Sequence, residues 1–368
     1  MYKPKCYCIP IERRAAGLKK DQIGSLTPAE SALGLRFLVQ DDSINLLVNF
    51  ESDNGTRRGC LKTISKIYDP CGFASPFLLK GRKILQKMTA SSVGWDQRLS
   101  DEVAKEWREW REDVLLLNEL KIQRCYRSNS LGTVIETSLH CFSDASFVGY
   151  GVACYLRFVD EKGDVEVSLV MGKARVSPLK PTTVPRLELT AATVSVKLAA
   201  LVMEELKISE LRTFYWVDNK IVLGYIFNQK RRYRIFVANR VKVIQDYTKG
   251  ENWNHVDTKE NPADCASRGI SLREKEKVRL WLYGPDYLWK PESTWMQEEP
   301  EFEIEKGDVE VKVEKKVNIV EVKPKSVLDI LEERISSWHR MKRVMAQVER
   351  FIQRCKRKEC IGEEELSC

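Results

Sequence analysis

Between residues 137 and 173 apolar and polar positions run in short blocks separated by turn residues, a pattern of strands. His140-Cys-Phe-Ser-Asp144, Gly149-Tyr-Gly-Val-Ala-Cys-Tyr-Leu156 and Val165-Glu-Val-Ser-Leu-Val-Met171 predict three of them, with Asp160-Glu-Lys-Gly163 as the turn before the last. From about 186 to 206 the period changes: Leu187, Ala191, Val194, Leu198, Leu201 and Met203 mark the buried stripe of a helix. Leu211–Val217 reads as a fourth strand, Asn219–Asn228 and Arg234–Tyr247 as helices, and Trp253–Val256 as a short fifth strand. Pro262–Arg268 starts a last helix, with proline near its first turn. Three strands, helix, strand, helices, strand, helix is an α/β layout with a mixed five-stranded sheet flanked by helices.

The flanks read differently. Leu33-Gly-Leu-Arg-Phe37 and Ile44-Asn-Leu-Leu-Val-Asn49 surround a hairpin turn at Asp41-Asp42-Ser43. Two amphipathic stretches over 59–88 are broken at Asp69-Pro-Cys-Gly72, and Val103, Trp107, Trp110, Val114 and Leu117 lie on one face of a further helix. Residues 297–325 are dominated by Glu, Lys and Val, as in a solvated linker or loose hairpin. Leu331, Ile335, Trp338, Met341, Met345, Val348 and Ile352 then form the apolar stripe of a basic helix, expected to pack on a neighbour.

Composition narrows the function classes. A 368-residue chain with 43% apolar and 31% charged residues can bury a sizeable core in two or three domains. A net charge of +8 favours an anionic partner such as nucleic acid. No apolar run approaches a membrane span, and Met1-Tyr-Lys-Pro-Lys-Cys6 has no apolar signal core, so no membrane partner and no secretion are expected. The eleven cysteines are then free thiols.

The candidate chemistry lies in four carboxylates, each in its own setting: Asp144 on the first strand, Glu188 after Pro185 and so in the first turn of its helix, Asp218 just past Phe214-Tyr-Trp-Val217, and Asp264 in the first turn of the last helix. Each alone could be a cap, a turn residue or a surface acid. Together they have the arrangement of a two-metal nuclease, in which two Mg²⁺ ions, with Mn²⁺ as a substitute, lie roughly 4 Å apart. Carboxylates suit such hard cations. Without metal, clustered acids repel and at least one pKa must rise. No small-molecule cofactor is expected. Phosphate contacts are expected from Lys173, Arg175, Lys180, Arg186, Lys259 and the run Lys230-Arg231-Arg232-Tyr233-Arg234. The short polar side chains of Ser146 and Asn219 are candidate partners for 2′-hydroxyls.

Phe142-Ser-Asp-Ala-Ser146, Pro185-Arg-Leu-Glu-Leu189, Trp216-Val-Asp-Asn219 and Glu260-Asn-Pro-Ala-Asp-Cys-Ala-Ser-Arg-Gly269 resemble the four acidic motifs of the ribonuclease H domain in BEL/Pao-type retrotransposon Pol polyproteins. Arg234-Ile-Phe-Val-Ala-Asn-Arg-Val241, Trp281-Leu-Tyr-Gly-Pro285 and Trp295 are similar to the intervening and following segments. Upstream, Leu33–Phe37, Ile67-Tyr-Asp-Pro-Cys-Gly72 and Gly94-Trp-Asp96 look like the tail of a reverse transcriptase. The resemblance implies a thumb/connection-like segment over 1–130, a ribonuclease H-like domain over 131–275, an extension and charged linker over 276–325, and a basic helix over 326–368 leading toward an integrase. It implies that Asp144, Glu188, Asp218 and Asp264 bind two Mg²⁺ while the enzyme cuts the RNA strand of an RNA/DNA hybrid. The partners would be the hybrid and the remaining Pol regions, polymerase palm and integrase. The expected location is the cytoplasm, in virus-like particles, or the nucleus.

Two departures accompany the resemblance. Asp41-Asp42 is the sole candidate for a polymerase metal pair, and it reads as a turn, so no DNA synthesis is expected. The loop Asp257–Asn261 lacks the histidine many ribonucleases H carry before the last helix; His255 precedes it and reads as a packed or surface residue. The alternative function is an inactive or repurposed Pol fragment that only binds nucleic acid or protein.

Overall fold

The computed structural model describes residues 29–32, 34–38, 41–50, 55–128, 130–207, 211–228, 232–295, 308–312 and 337–364. Arg231, Leu331, Ile335 and most of 297–325 lie outside the described residues. The chain divides into a unit ending at Lys312 and a second starting at Val313.

The leading part of the first unit holds β1 (Ala29–Ala32), β2 (Leu35–Leu38), β3 (Ser43–Leu46) and β4 (Ile122–Gln123), antiparallel in that order, with helices α1 (Arg57–Ser65), α2 (Ser75–Ala90) and α3 (Asp101–Leu115) between β3 and β4. The predicted hairpin is present: Leu38 pairs with Ser43, and Asp42 takes a left-handed φ of 46° in the turn. Asp42 is bound by Arg124 and Asp41 by Lys121, so this acidic pair serves the turn. Trp107, Trp110, Val114 and Leu117 are buried as their spacing predicts.

The main sheet contains β5 (Val134–Ala145), β6 (Gly149–Asp160), β7 (Val165–Val176), β8 (Arg212–Val217) and β9 (Trp253–His255), in the order β7-β6-β5-β8-β9. The first three form an antiparallel meander, and β8 and β9 add in parallel beside β5. β5, β6 and β7 run past the ends predicted for them because their outer halves carry polar residues that are nonetheless placed. His140, fully buried, is hydrogen-bonded by Ser138 and Trp216. Arg157 donates to the carbonyls of Leu288 and Lys290, and the Asp160 carboxylate accepts the amides of Gly132, Lys162 and Asp164. A polar residue satisfied by such partners can sit inside a core that composition alone would deny it.

Helix α4 (Val184–Leu206) crosses the sheet. It starts before Pro185, so Glu188 lies in its second turn, one turn later than the proline position implied. Its buried face is broad, taking in Leu187, Leu189, Ala191, Ala192, Ser195, Val196, Leu198, Ala199 and Val202. The small residues let α4 lie close to the sheet while α6 (Ile235–Tyr247) covers its other side. Leu201, assigned to the stripe, is exposed instead, because the covered face is rotated toward these alanines. α5 (Lys220–Phe227) follows β8, with Asn219 capping it by accepting from the Ile221 amide. α7 (Ala263–Arg268) lies against β5 and β6 on the side of Gly151, and α8 (Lys275–Tyr283) leads into a segment that ends at Trp295.

The leading part and the sheet share one core. Gly172 on β7 donates its amide to the Cys71 carbonyl, and a Cβ on Gly72 would meet the Gly172 carbonyl oxygen at 1.9 Å. Gly72 also has φ +76°, so glycine is required there twice over. Arg82 donates to the Ala174 carbonyl, and Trp281 to that of Phe73.

In the second unit α9 (Trp338–Glu364) is a basic amphipathic helix. Of its predicted stripe, Trp338, Met345, Val348 and Ile352 are exposed. Among the described residues no helix is long and apolar enough to cross a membrane.

Candidate active site

Register places the first two acids. Ser143 on β5 pairs in parallel with Val217 on β8, so the next residue of each strand, Asp144 and Asp218, emerges at the same edge of the sheet. Carboxyl ends of adjacent parallel strands are where α/β folds collect their sites. Glu188 comes in from α4, and Asp264 from the first turn of α7. α7 reaches this edge because Gly151, the register partner of Asp144, has no side chain. Asn261 also ties the approach to α7 to β5 by donating to the Ser143 carbonyl.

Asp144, Glu188 and Asp218 line a cleft of about 500 Å³ together with Ser146, Phe147, Val184, Asn219, Lys220, Ile221, Thr258 and Arg268. Asp264, expected with the other three, does not line this cleft; its carboxylate is paired with Arg268 one turn along α7, and its charge acts on Asp144 and Asp218. Ser267 donates to Asp144. Ser267 and Arg268 were not among the expected site residues, although the spacing from Asp264 puts them three and four positions along the same helix.

The electrostatics are those of crowded acids. Burial pushes the Asp144 carboxyl up to about 7; the Asp218 charge adds to this, the Ser267 hydrogen bond opposes it, and Asp264 adds again. Burial, then Asp218 and Asp144, lift Glu188 to about 9, against a hydrogen bond from Asn219. Asp218 is raised chiefly by burial, with hydrogen bonding from Thr258 working the other way. Arg268 is held charged first by Asp264, with Asp144 and Asp218 contributing.

Whether these residues fit a metal rests on their chemistry. Glu188 Oε2 is buried with no hydrogen-bond partner. An orphaned acceptor beside two more carboxylates is a donor set suited to hard divalent cations. Among the described residues no group of three His, Cys, Asp or Glu side chains is already set to hold an ion.

The other expected residues are spread out. Asn219 lies in the cleft, caps α5 and contacts Glu188. Ser146 lines it too, but its hydroxyl donates to the Ser267 carbonyl and accepts the Val148 and Gly149 amides. Lys173 and Arg175 sit on β7, opposite Val152 and Tyr150, and do not line the cleft. Lys180 is exposed before α4, and Lys259 is exposed in the turn after β9. Arg186 is bound by Glu310; Arg232 and Arg234 flank Tyr233 at the start of α6. His255 ends β9 with Nε2 3.2 Å from the Asp218 carbonyl oxygen.

Fold and site together define a ribonuclease H-like domain. The family model described as "Pao retrotransposon-like RNaseH-like domain" matches residues 56–219. No curated protein matches the chain. Among solved structures, it is similar to the N-terminal RNase H domain of rv2228c from Mycobacterium tuberculosis, solved as a fusion with maltose-binding protein, at 9% identity and a TM-score of 0.26, covering 36% of this chain and 93% of that one. RNase H1 from the halophilic archaeon Halobacterium salinarum NRC-1 aligns at 12% identity and a TM-score of 0.23, over 36% and 93%. LC11-RNase H1, isolated from compost, aligns at 13% and 0.24, over 37% and 95%.

Proposed function

We propose that the chain is the ribonuclease H portion of a retrotransposon reverse transcriptase and cuts the RNA strand of RNA/DNA hybrids with Mg²⁺. The observation that carries this reading is the delivery of Asp144, Glu188 and Asp218 from three different elements into one cleft, with the Asp264 charge acting on Asp144. Asp144, Glu188, Asp218 and Asp264 would hold two Mg²⁺. Such a pair supplies an activated water and stabilises the leaving oxygen. The protein's own part is to orient the duplex. Asn219 and Lys220 present polar and cationic groups at the cleft, and Phe147, 76% exposed, and Ile221 form apolar lips where a sugar or base can rest. Ser267 and Arg268 hold two of the acids, Asp144 and Asp264, in place.

The partners in this reading are an RNA/DNA hybrid and the remaining Pol regions, with 1–130 as a thumb/connection-like segment and α9 leading toward the integrase. The setting would be reverse transcription in cytoplasmic particles or the nucleus. The test is cleavage of a labelled hybrid by the purified chain across a Mg²⁺ titration. Cutting should require Mg²⁺, stop with chelator, and be lost in Asp144→Asn. Cutting that survives the substitution would exclude the assignment. Hybrid binding without cutting would favour a repurposed binding module.

A further inference from the structure

Residues Asp308–Lys312 lie far along the chain from α4 and α6 but pack on both. Tyr233 and Val311 form an antiparallel bridge; the Arg234 amide donates to the Glu310 carbonyl at 2.8 Å, and the Lys312 amide to that of Arg232 at 2.8 Å. This short pairing sets two acids against basic and phenolic groups. Glu310 is 5% exposed and takes Arg186 in both oxygens, at 2.6 and 3.1 Å. Asp308 accepts from the Tyr225 hydroxyl at 2.7 Å and from the Glu310 amide at 2.8 Å. Arg186 is two positions before Glu188 on α4, and its guanidinium stacks on Phe236, which also carries Arg240 on its ring.

The geometry of this contact is that of an anion site. A planar guanidinium gripping two oxygens, a phenolic hydroxyl beside it and further arginines at the start of α6 are what a backbone phosphate asks for. Arg186 faces α6 rather than the cleft. The five strands of the main sheet do not include residues 308–312, although Val311 packs against the core.

We propose that the flank formed by Arg186, Tyr225, Arg234 and Arg240 binds a backbone phosphate of the nucleic acid, and that Asp308–Lys312 is an acidic strap whose carboxylates occupy this flank until the duplex displaces it. This rests on the hybrid-binding reading given above. Contacts to Glu310 and Asp308 are exchanged for contacts to phosphate, so the strap lowers the apparent affinity for the hybrid.

The experiment uses the whole chain in chelator, so that cutting plays no part, with a labelled RNA/DNA hybrid as probe. Asp308→Asn/Glu310→Gln should tighten binding about three- to tenfold, and adding Arg186→Ala should remove the gain. In parallel, hydrogen exchange is followed at the Arg234 and Lys312 amides of the unsubstituted chain; adding hybrid should accelerate it at both. If hybrid binds while those amides keep or increase their protection, the strap is a permanent part of the fold and the proposal fails, with hybrid binding intact. If the double variant binds no tighter than the parent, the flank is not a phosphate site. If neither protein binds hybrid at any salt concentration, the nucleic-acid reading itself falls, and the strap proposal with it.

Discussion

Gly151 on β6 and Ala266 on α7 approach so closely that a Cβ on the glycine would lie 2.4 Å from the alanine Cβ and 2.7 Å from its carbonyl carbon. Because Gly151 is also the register partner of Asp144, this contact fixes the depth at which α7 brings Ser267 and Asp264 to the site. Gly151→Ala should therefore push α7 outward. Overpacking of this kind costs about 1–3 kcal/mol. The loss of cutting should be disproportionate, about tenfold or more, because small misplacements of reacting groups are expensive. Hybrid cleavage alongside denaturant unfolding separates the two effects. A variant that keeps full cutting would show that the glycine does not set the α7 position.

Divalent metal should stabilise the protein through the same acids. The raised carboxyls of Asp144, Glu188 and Asp218 reflect burial first and mutual repulsion second, and bound cations favour their charged forms. A ligand at a hundred times its dissociation constant contributes about 2.7 kcal/mol. Thermal melts with and without Mg²⁺ should show an upward shift that chelator reverses. In Glu188→Gln most of the shift should vanish, since its unpartnered Oε2 is the most available donor. A shift of equal size in the variant would place metal elsewhere.

Much of this site was legible in sequence because each acid is local to a recognisable element: a strand end for Asp144 and Asp218, a helix start for Asp264. What was not legible depends on partners far along the chain. Arg186 read as a phosphate contact, yet its partner is Glu310, more than a hundred residues later, and no local pattern links them. Ser146 read as a free donor, yet α7 returns to take its hydroxyl. The end of β6 was cut short because Arg157 looks like a surface residue until the carbonyls of Leu288 and Lys290 are in place. Periodicity reports which face of an element is apolar; it does not report how far the covered face is rotated, which is why Leu201 was misassigned.

The leading segment should be needed for the stability of the sheet. α2 supplies the buried Phe77, Leu78 and Leu79, and Leu79 lies beside Gly149 at the start of β6. Asp113 on α3 accepts from Ser271 just before α8. Each large apolar side chain uncovered costs about 1.5–3 kcal/mol. A chain beginning at residue 131 should thus unfold at markedly lower denaturant than one beginning at residue 55, by about 3–5 kcal/mol or more. Matching midpoints for the two would mean that the helices are only an attachment.

Asp69 gives a pH dependence independent of the cleft. The residue is half-buried, but its Oδ1 is cut off from solvent without a partner while Oδ2 accepts the Ala74 amide at the start of α2. Burial raises its carboxyl to about 6, against hydrogen bonds from Ala74 and Phe73 and the Arg82 charge. In the unfolded chain the same group titrates near 3.9. The folded state therefore holds the proton more tightly, so this contribution is fully present below about pH 4 and is lost as pH rises through about 6. With the residue partly exposed, the loss should be about 1–2 kcal/mol rather than the full value of the shift. Asp69→Asn keeps an acceptor for Ala74 and removes the charge. It should raise stability at pH 7 by that amount and leave it little changed at pH 4. Urea unfolding of both proteins at the two pH values measures the difference, and an equal effect at pH 4 and 7 would mean that the charge on Asp69 is not the cause.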